Sequence, residues 1–153
     1  MSLYVDANVL IRLYLNLDAV QIRRTLCNEA SSLQWPLPVT DLLACEIRNG
    51  IERMVFESHR GGQWRVSKEI AQVGQAVFDD ELNAGLFLSR VPVSVADISA
   101  KFDRLALRHT AKHGFRTYDI MHVASALHLG CTQFFSFDNK AKDLARLEGL
   151  QTI

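Results

Sequence analysis

No surplus of charge of either sign marks this sequence. Lysine plus arginine and aspartate plus glutamate stand at 17 each, for a net charge of zero. A globally basic surface is therefore excluded, and contact with nucleic acid requires a local basic patch. An acidic pocket offset by basic residues elsewhere would be hidden in the same sum. Cysteine is scarce: Cys27, Cys45 and Cys131 are odd in number and include no close pair. That excludes a disulfide framework and a zinc spacing, and suits buried thiols in a reducing cytosol. The chain opens Met1-Ser2-Leu3-Tyr4-Val5-Asp6 with no basic leader. No apolar run approaches the roughly 20 residues of a membrane span. The expectation is a cytoplasmic protein with no membrane partner. Repeats, low-complexity segments and linkers are absent too, so one domain is expected over residues 1–153. At 48% hydrophobic and 22% charged, the chain can bury a real core, and nothing in the composition argues for disorder.

Strand-like and helix-like runs alternate. Leu3-Tyr4-Val5 reads as a buried strand, interrupted by Asp6-Ala7-Asn8. Val9 to Leu17 continues at helical spacing, and Asp18 to Leu33 predicts a second helix. The prolines of Trp35-Pro36-Leu37-Pro38-Val39 force extended backbone and a strand near Leu37 to Val39. Thr40 or Asp41 can cap a helix reaching about His59. Gly61-Gly62 separates it from another, about Arg65 to Leu82, with Val66, Ile70, Val73, Val77 and Phe78 expected inward. A third strand falls within Phe87 to Val95. Ser94 with Asp97 three residues on marks a helix start, and that helix runs to His113-Gly114. Tyr118 to Leu129 predicts a nearly all-apolar, central helix. Gln133 to Phe137 predicts a strand, Asn139 to Leu147 a last helix, and Leu150 to Ile153 a fifth strand. The alternation indicates an α/β domain with a mainly parallel sheet and helices on both faces.

Placement makes four acids candidates. Asp6 and Asp138 each follow a strand, and open parallel sheets bind ligands beyond the carboxyl ends of strands where the strand order reverses. The competing explanation for each is a turn-forming aspartate. Glu46 lies at the edge of its helix's apolar arc, a costly place for a carboxylate without a partner; a salt bridge to a nearby arginine is the alternative. Asp119 stands in the first turn of its helix, where the dipole alone favours an acid. If the four converge, their repulsion calls for protonation or a cation. Oxygen donors select magnesium, or manganese, over zinc. Such a pocket suits phosphoryl-group chemistry.

Together these positions resemble a known pattern. Val5-Asp6-Ala7-Asn8-Val9-Leu10-Ile11, Cys45-Glu46-Ile47, the run Thr117-Tyr118-Asp119-Ile120-Met121-His122-Val123-Ala124-Ser125-Ala126-Leu127, and Phe135-Ser136-Phe137-Asp138 with Leu144-Ala145 and Gly149-Leu150 are similar, in order, to the motifs of PIN domains. Size and motif spacing look most like VapC-type toxins of toxin–antitoxin pairs. The resemblance implies a three-layer α/β/α sandwich around a mainly parallel sheet of four or five strands. It implies magnesium held chiefly by Asp6 and Asp119 and completed by Glu46 and Asp138, with Asn8 and Ser136 as supporting hydrogen-bonders. It further implies cleavage of structured RNA such as tRNA, a homodimer, and a small antitoxin that blocks the site. Two departures stand out: Phe137 places a bulky aromatic before the last acid, and Arg60 to Val91 carries no matching residue.

His122, one turn after Asp119, reads as a satisfied core histidine within reach of the pocket. Among Arg12, Arg48, Arg53, Arg104, Arg108, Lys112 and Arg116, at most two or three are expected to meet phosphates and the rest to be solvated. A receiver domain needs an acid pair after its first strand and an aspartate after a middle strand; neither is present. A dehalogenase-type phosphatase needs a second aspartate where Asn8 stands. A PIN-like module that binds RNA or a partner without cutting is the third alternative, disfavoured by the presence of all four acids.

Overall fold

Leu3, Tyr4 and Val5 are all buried, as a strand covered on both faces requires. The computed structural model describes residues 2–29 and 35–153. Its elements, in order, are β1 (Leu3–Val5), α1 (Ala7–Tyr14), α2 (Ala19–Glu29), β2 (Leu37–Thr40), α3 (Asp41–His59), α4 (Lys68–Ala84), β3 (Leu88–Val91) and α5 (Val95–Leu105). A π-helical turn (Ala106–Thr110) and α6 (Ala111–His113) follow, then α7 (Thr117–His128), β4 (Gln133–Phe135), α8 (Asn139–Leu147) and β5 (Gln151–Thr152). The part of the second predicted helix from residue 30 to 33 lies outside the described residues.

All strand pairings described are parallel. One ladder has the order β1-β4-β5 and the other joins β2 to β3. β1 also lies beside β2, so the layer reads β3-β2-β1-β4-β5. The chain moves one way from β1 to β2 and β3, then returns to the other side of β1 for β4. The order therefore reverses between β1 and β4, and the crevice at their carboxyl ends is the place where such sheets bind ligands. Helices α1, α3 and α4 pack together, as do α5, α7 and α8. The result is a three-layer α/β/α arrangement, as expected.

Local chemistry sets the helix boundaries. Asp6 caps α1 by accepting from the Ala7 N–H, so the helix begins two residues before Val9. Thr40 caps α3 through the Leu43 N–H, and Ser94 with Asp97 forms the expected capping box of α5. That helix passes through the π-helical turn before ending at Gly114, which adopts positive φ. Helix α4 starts at Lys68 under a Ser67 cap, later than the expected Arg65. Arg65 and Val66 are instead tied to Ser58, through its carbonyl and its hydroxyl respectively.

The inward face of α4 also differs from the expectation. Ile70, Val73 and Val77 are exposed, while Ala71, Gly74, Phe78 and Leu82 are buried. Small residues decide the phase, because α4 crosses the end of α1 at close range: a Cβ on Gly74 would stand 2.9 Å from the Tyr14 carbonyl oxygen. The expectation of three buried thiols is corrected as well. Cys131 is buried, and burial pushes its thiol up to about 11. Cys27 and Cys45 are exposed, each on the wet side of its helix.

Alanine is favoured over glycine in a helix interior by about 1 kcal/mol. Forcing a methyl against rigid backbone works in the opposite sense and outweighs it. Gly74→Ala is therefore expected to lower stability by about 1–2 kcal/mol in urea denaturation. A gain in stability would contradict the close crossing of α1 and α4.

Candidate metal centre

Asp6 leaves β1 at the point where β4 ends, and the residue is 5% exposed. Oδ1 accepts from the Ala7 N–H at 2.8 Å. Oδ2 accepts from Ser136 Oγ at 2.6 Å and Asn8 Nδ2 at 2.7 Å. Asn8 Nδ2 also donates to Ser136 Oγ at 3.0 Å, and Asn8 Oδ1 accepts from the Phe137 N–H at 2.9 Å. The two residues expected to support the site are thus the ones that tie the end of β1 to the end of β4. Burial raises the Asp6 pKa above the usual carboxylate range. His122, Ser136 and the Ala7 N–H act in the opposite direction, and Glu46 adds to the rise.

Glu46, on α3, is held by an unanticipated partner. Its Oε2 meets His122 Nε2, whose Nδ1 lies 2.8 Å from the Tyr4 hydroxyl. His122 is 2% exposed. Because Nε2 faces a carboxylate, it carries the proton in either charge state, and Nδ1 accepts from or donates to Tyr4 accordingly. Burial works against the charged ring, but the hydrogen bond to Glu46 and the charges of Asp6, Glu46 and Asp119 outweigh it and raise the pKa. The histidine is satisfied, as expected, and it also fixes an acid of the pocket.

Asp119 and Asp138 share one arginine. Asp119, buried at the third position of α7, accepts from the Arg116 backbone N–H at 2.9 Å, from Nε at 3.2 Å and from Nη2 at 3.1 Å. The same Nη2 donates to Asp138 Oδ2 at 2.5 Å. Asp138 also caps α8 through Oδ1, as the turn-forming alternative required. The cation that their repulsion calls for is, for these two acids, a single guanidinium.

All four carboxylates nevertheless line a single cavity of about 570 Å³, together with Asn8, Arg53, Arg116, Tyr118 and His122. Among the described residues, no group of three or more His, Cys, Asp or Glu side chains stands in an arrangement that would hold a metal ion as it is. The donor chemistry still fits a hard divalent cation: carboxylate oxygens with spare lone pairs, gathered around one desolvated aspartate. Of the seven basic residues singled out, Arg53 and Arg116 line the cavity. Arg12, Arg48, Arg104 and Arg108 are paired with Asp18, Asp79 and Glu148 elsewhere. Phe137, the departure before the last acid, turns away to lie under the Arg12 guanidinium, 4.6 Å from its ring centre.

The chain matches the PIN domain family over residues 3–147. It belongs to that family. PIN domains are in general nucleases and usually use divalent ions such as magnesium. Membership sets aside the receiver and dehalogenase-type alternatives, and the match runs through Arg60 to Val91, where the sequence offered no motif. Among curated proteins, none matches this PIN domain. Among the described residues, no helix is long and apolar enough to cross a membrane.

Tyr4→Phe leaves the buried His122 Nδ1 without its partner. It is expected to lower stability by about 1–2 kcal/mol, typical of a buried polar atom left unsatisfied. Urea denaturation measures the loss, and wild-type stability would show that Tyr4 does not anchor the histidine.

Proposed function

We propose that this PIN domain is a magnesium-dependent endoribonuclease, with manganese as a substitute ion. The observation that carries the reading is the convergence of Asp6, Glu46, Asp119 and Asp138 on one cavity at the switch point of the sheet. Asp6 and Asp119 are the principal ligands, and Glu46 and Asp138 complete the set. A divalent ion bound there supplies positive charge for phosphate oxygens and acidifies water.

The chain's own residues do the rest. Ser136 and Asn8 fix the Asp6 carboxylate, so no reorganisation is needed when charge arrives. His122, anchored by Tyr4, aims Glu46 into the cavity. The Glu46 side chain remains 35% exposed, open enough to meet and orient a water. In hydrolysis the water oxygen forms the new bond to phosphorus, the bond to the leaving nucleoside oxygen breaks, and that oxygen takes up a proton. Asp138 and Asn8 border the same space.

The order and spacing of the motifs support a finer reading: the cytoplasmic toxin of a type II toxin–antitoxin pair, with one PIN domain over residues 1–153. It would act as a homodimer on structured RNA such as tRNA, blocked by a small antitoxin. One observation favours a second reading, an RNA- or protein-binding PIN domain that does not cut: Asp119 and Asp138 already have a cation in Arg116.

The two readings separate on one set of assays. With magnesium, the wild type is expected to cleave RNA, and Asp6→Asn to lose at least about a hundredfold in rate, in line with the loss of a metal-ion contribution of several kcal/mol. Chelation should abolish the activity, and magnesium should raise the melting temperature of the wild type alone. Equal cleavage by both proteins, or binding of RNA without magnesium-dependent cutting, would overturn the catalytic reading.

A further inference from the structure

Arg116 is held in an unusual way. Its guanidinium makes three side-chain hydrogen bonds to two carboxylates, in the forked geometry that suits such anions. Yet its side chain is 66% exposed, so little packing fixes it and water screens the ion pairs. It stands at the N-cap of α7, on the wall of the acidic cavity. The other basic residue of that wall, Arg53, is already paired with Glu57 at 3.3 Å. Asp119 is the more constrained partner: it is buried, both its oxygens are taken by Arg116, and the backbone N–H of Arg116 is one of the donors.

Two demands meet at this residue. Asp119 and Asp138 need positive charge to stand together, and the guanidinium that bridges Asp119 Oδ1 and Asp138 Oδ2 occupies a lone pair on each and repels a divalent ion. A guanidinium released from them stays tethered at the mouth of the cavity, with the same flat array of donors. That array fits phosphate oxygens as well as it fits carboxylate oxygens.

We propose that Arg116 is an exchangeable counter-ion: it neutralises Asp119 and Asp138 until a divalent cation displaces it, and its freed guanidinium then takes a phosphate of the RNA. The inference rests on the metal-dependent reading above. It makes the arginine a competitor of the metal and a helper of the substrate, so a single substitution moves the two affinities in opposite directions. An arginine that merely braced the loop before α7 would, on removal, weaken both.

Manganese binding, followed by the resonance of the free ion, separates these cases in the wild type, Arg116→Gln and Arg116→Lys. Thermal melts establish that each variant is folded; the backbone bond from residue 116 to Asp119 survives all three. Arg116→Gln is expected to bind manganese about tenfold more tightly than the wild type, a difference of ~1.4 kcal/mol. Arg116→Lys keeps the charge and should bind manganese nearer the wild-type level. A fluorescent RNA oligonucleotide, its anisotropy read with manganese present before the first turnover, should bind at least about fivefold more weakly to both variants, as expected for loss of a forked phosphate contact. Equal or weaker manganese binding by Arg116→Gln overturns the counter-ion role while leaving the metal reading intact. Unchanged RNA binding overturns the phosphate role. No manganese binding by any of the three proteins removes the metal reading and this inference together.

Discussion

A carboxylate that is almost entirely removed from water must be given hydrogen-bond donors or positive charge, and the end of β1 is organised around that demand. Asp6 receives a backbone N–H, a hydroxyl and an amide. The hydroxyl and the Phe137 N–H bound by Asn8 belong to the chain just beyond β4, so satisfying the aspartate also fastens two neighbouring strands at their carboxyl ends. Each of these groups is a neutral donor. They reduce the penalty of burying the charge without cancelling it, and the pKa of Asp6 stays raised. The fold thus places a carboxylate where its charge is unfavourable, at the crevice where the strand order reverses.

The other three acids are compensated in two different ways. Glu46 is steadied from inside, by a histidine locked between it and a buried tyrosine. The histidine and the tyrosine lie within the core, and the pair is costly to disturb because breaking it strands a polar atom away from water. Asp119 and Asp138 are compensated from outside, by an arginine held at the rim through charge and little else. Buried support gives a fixed geometry, whereas exposed support can be exchanged. The proposed binding of a cation and then of RNA would draw on both kinds.

Much of this arrangement is legible in the sequence. Asp6 and Asp138 directly follow short β-prone runs, and strand-helix alternation implies a parallel sheet, so their meeting beyond the strand ends can be anticipated from geometry alone. The Ser94–Asp97 capping box is similarly local and survives into the structure. Periodicity fails on α4, which carries apolar residues in two phases. Ile70, Val73 and Val77 present the more hydrophobic stripe, but the small Ala71 and Gly74 allow the approach of α1, and packing distance prevails over hydropathy. Charge partners are illegible for a related reason. That Glu46 pairs with His122, 76 positions away, depends on how α3 and α7 sit against β1. Arg116, three residues before Asp119, is close enough in sequence to be suspected as a cap-side partner. Its second bond, to Asp138, depends on the switch-point geometry that brings β4 next to β1.

The mechanism requires these carboxylates to form one divalent-cation site. Diffraction from crystals soaked in manganese, measured at a wavelength where the ion scatters anomalously, tests it most directly. An anomalous peak is expected inside the acidic cavity, with Asp6 and Asp119 among its nearest neighbours and the Arg116 guanidinium moved off the acid pair. A cavity with no peak at saturating manganese, Arg116 still spanning Asp119 and Asp138, would contradict it.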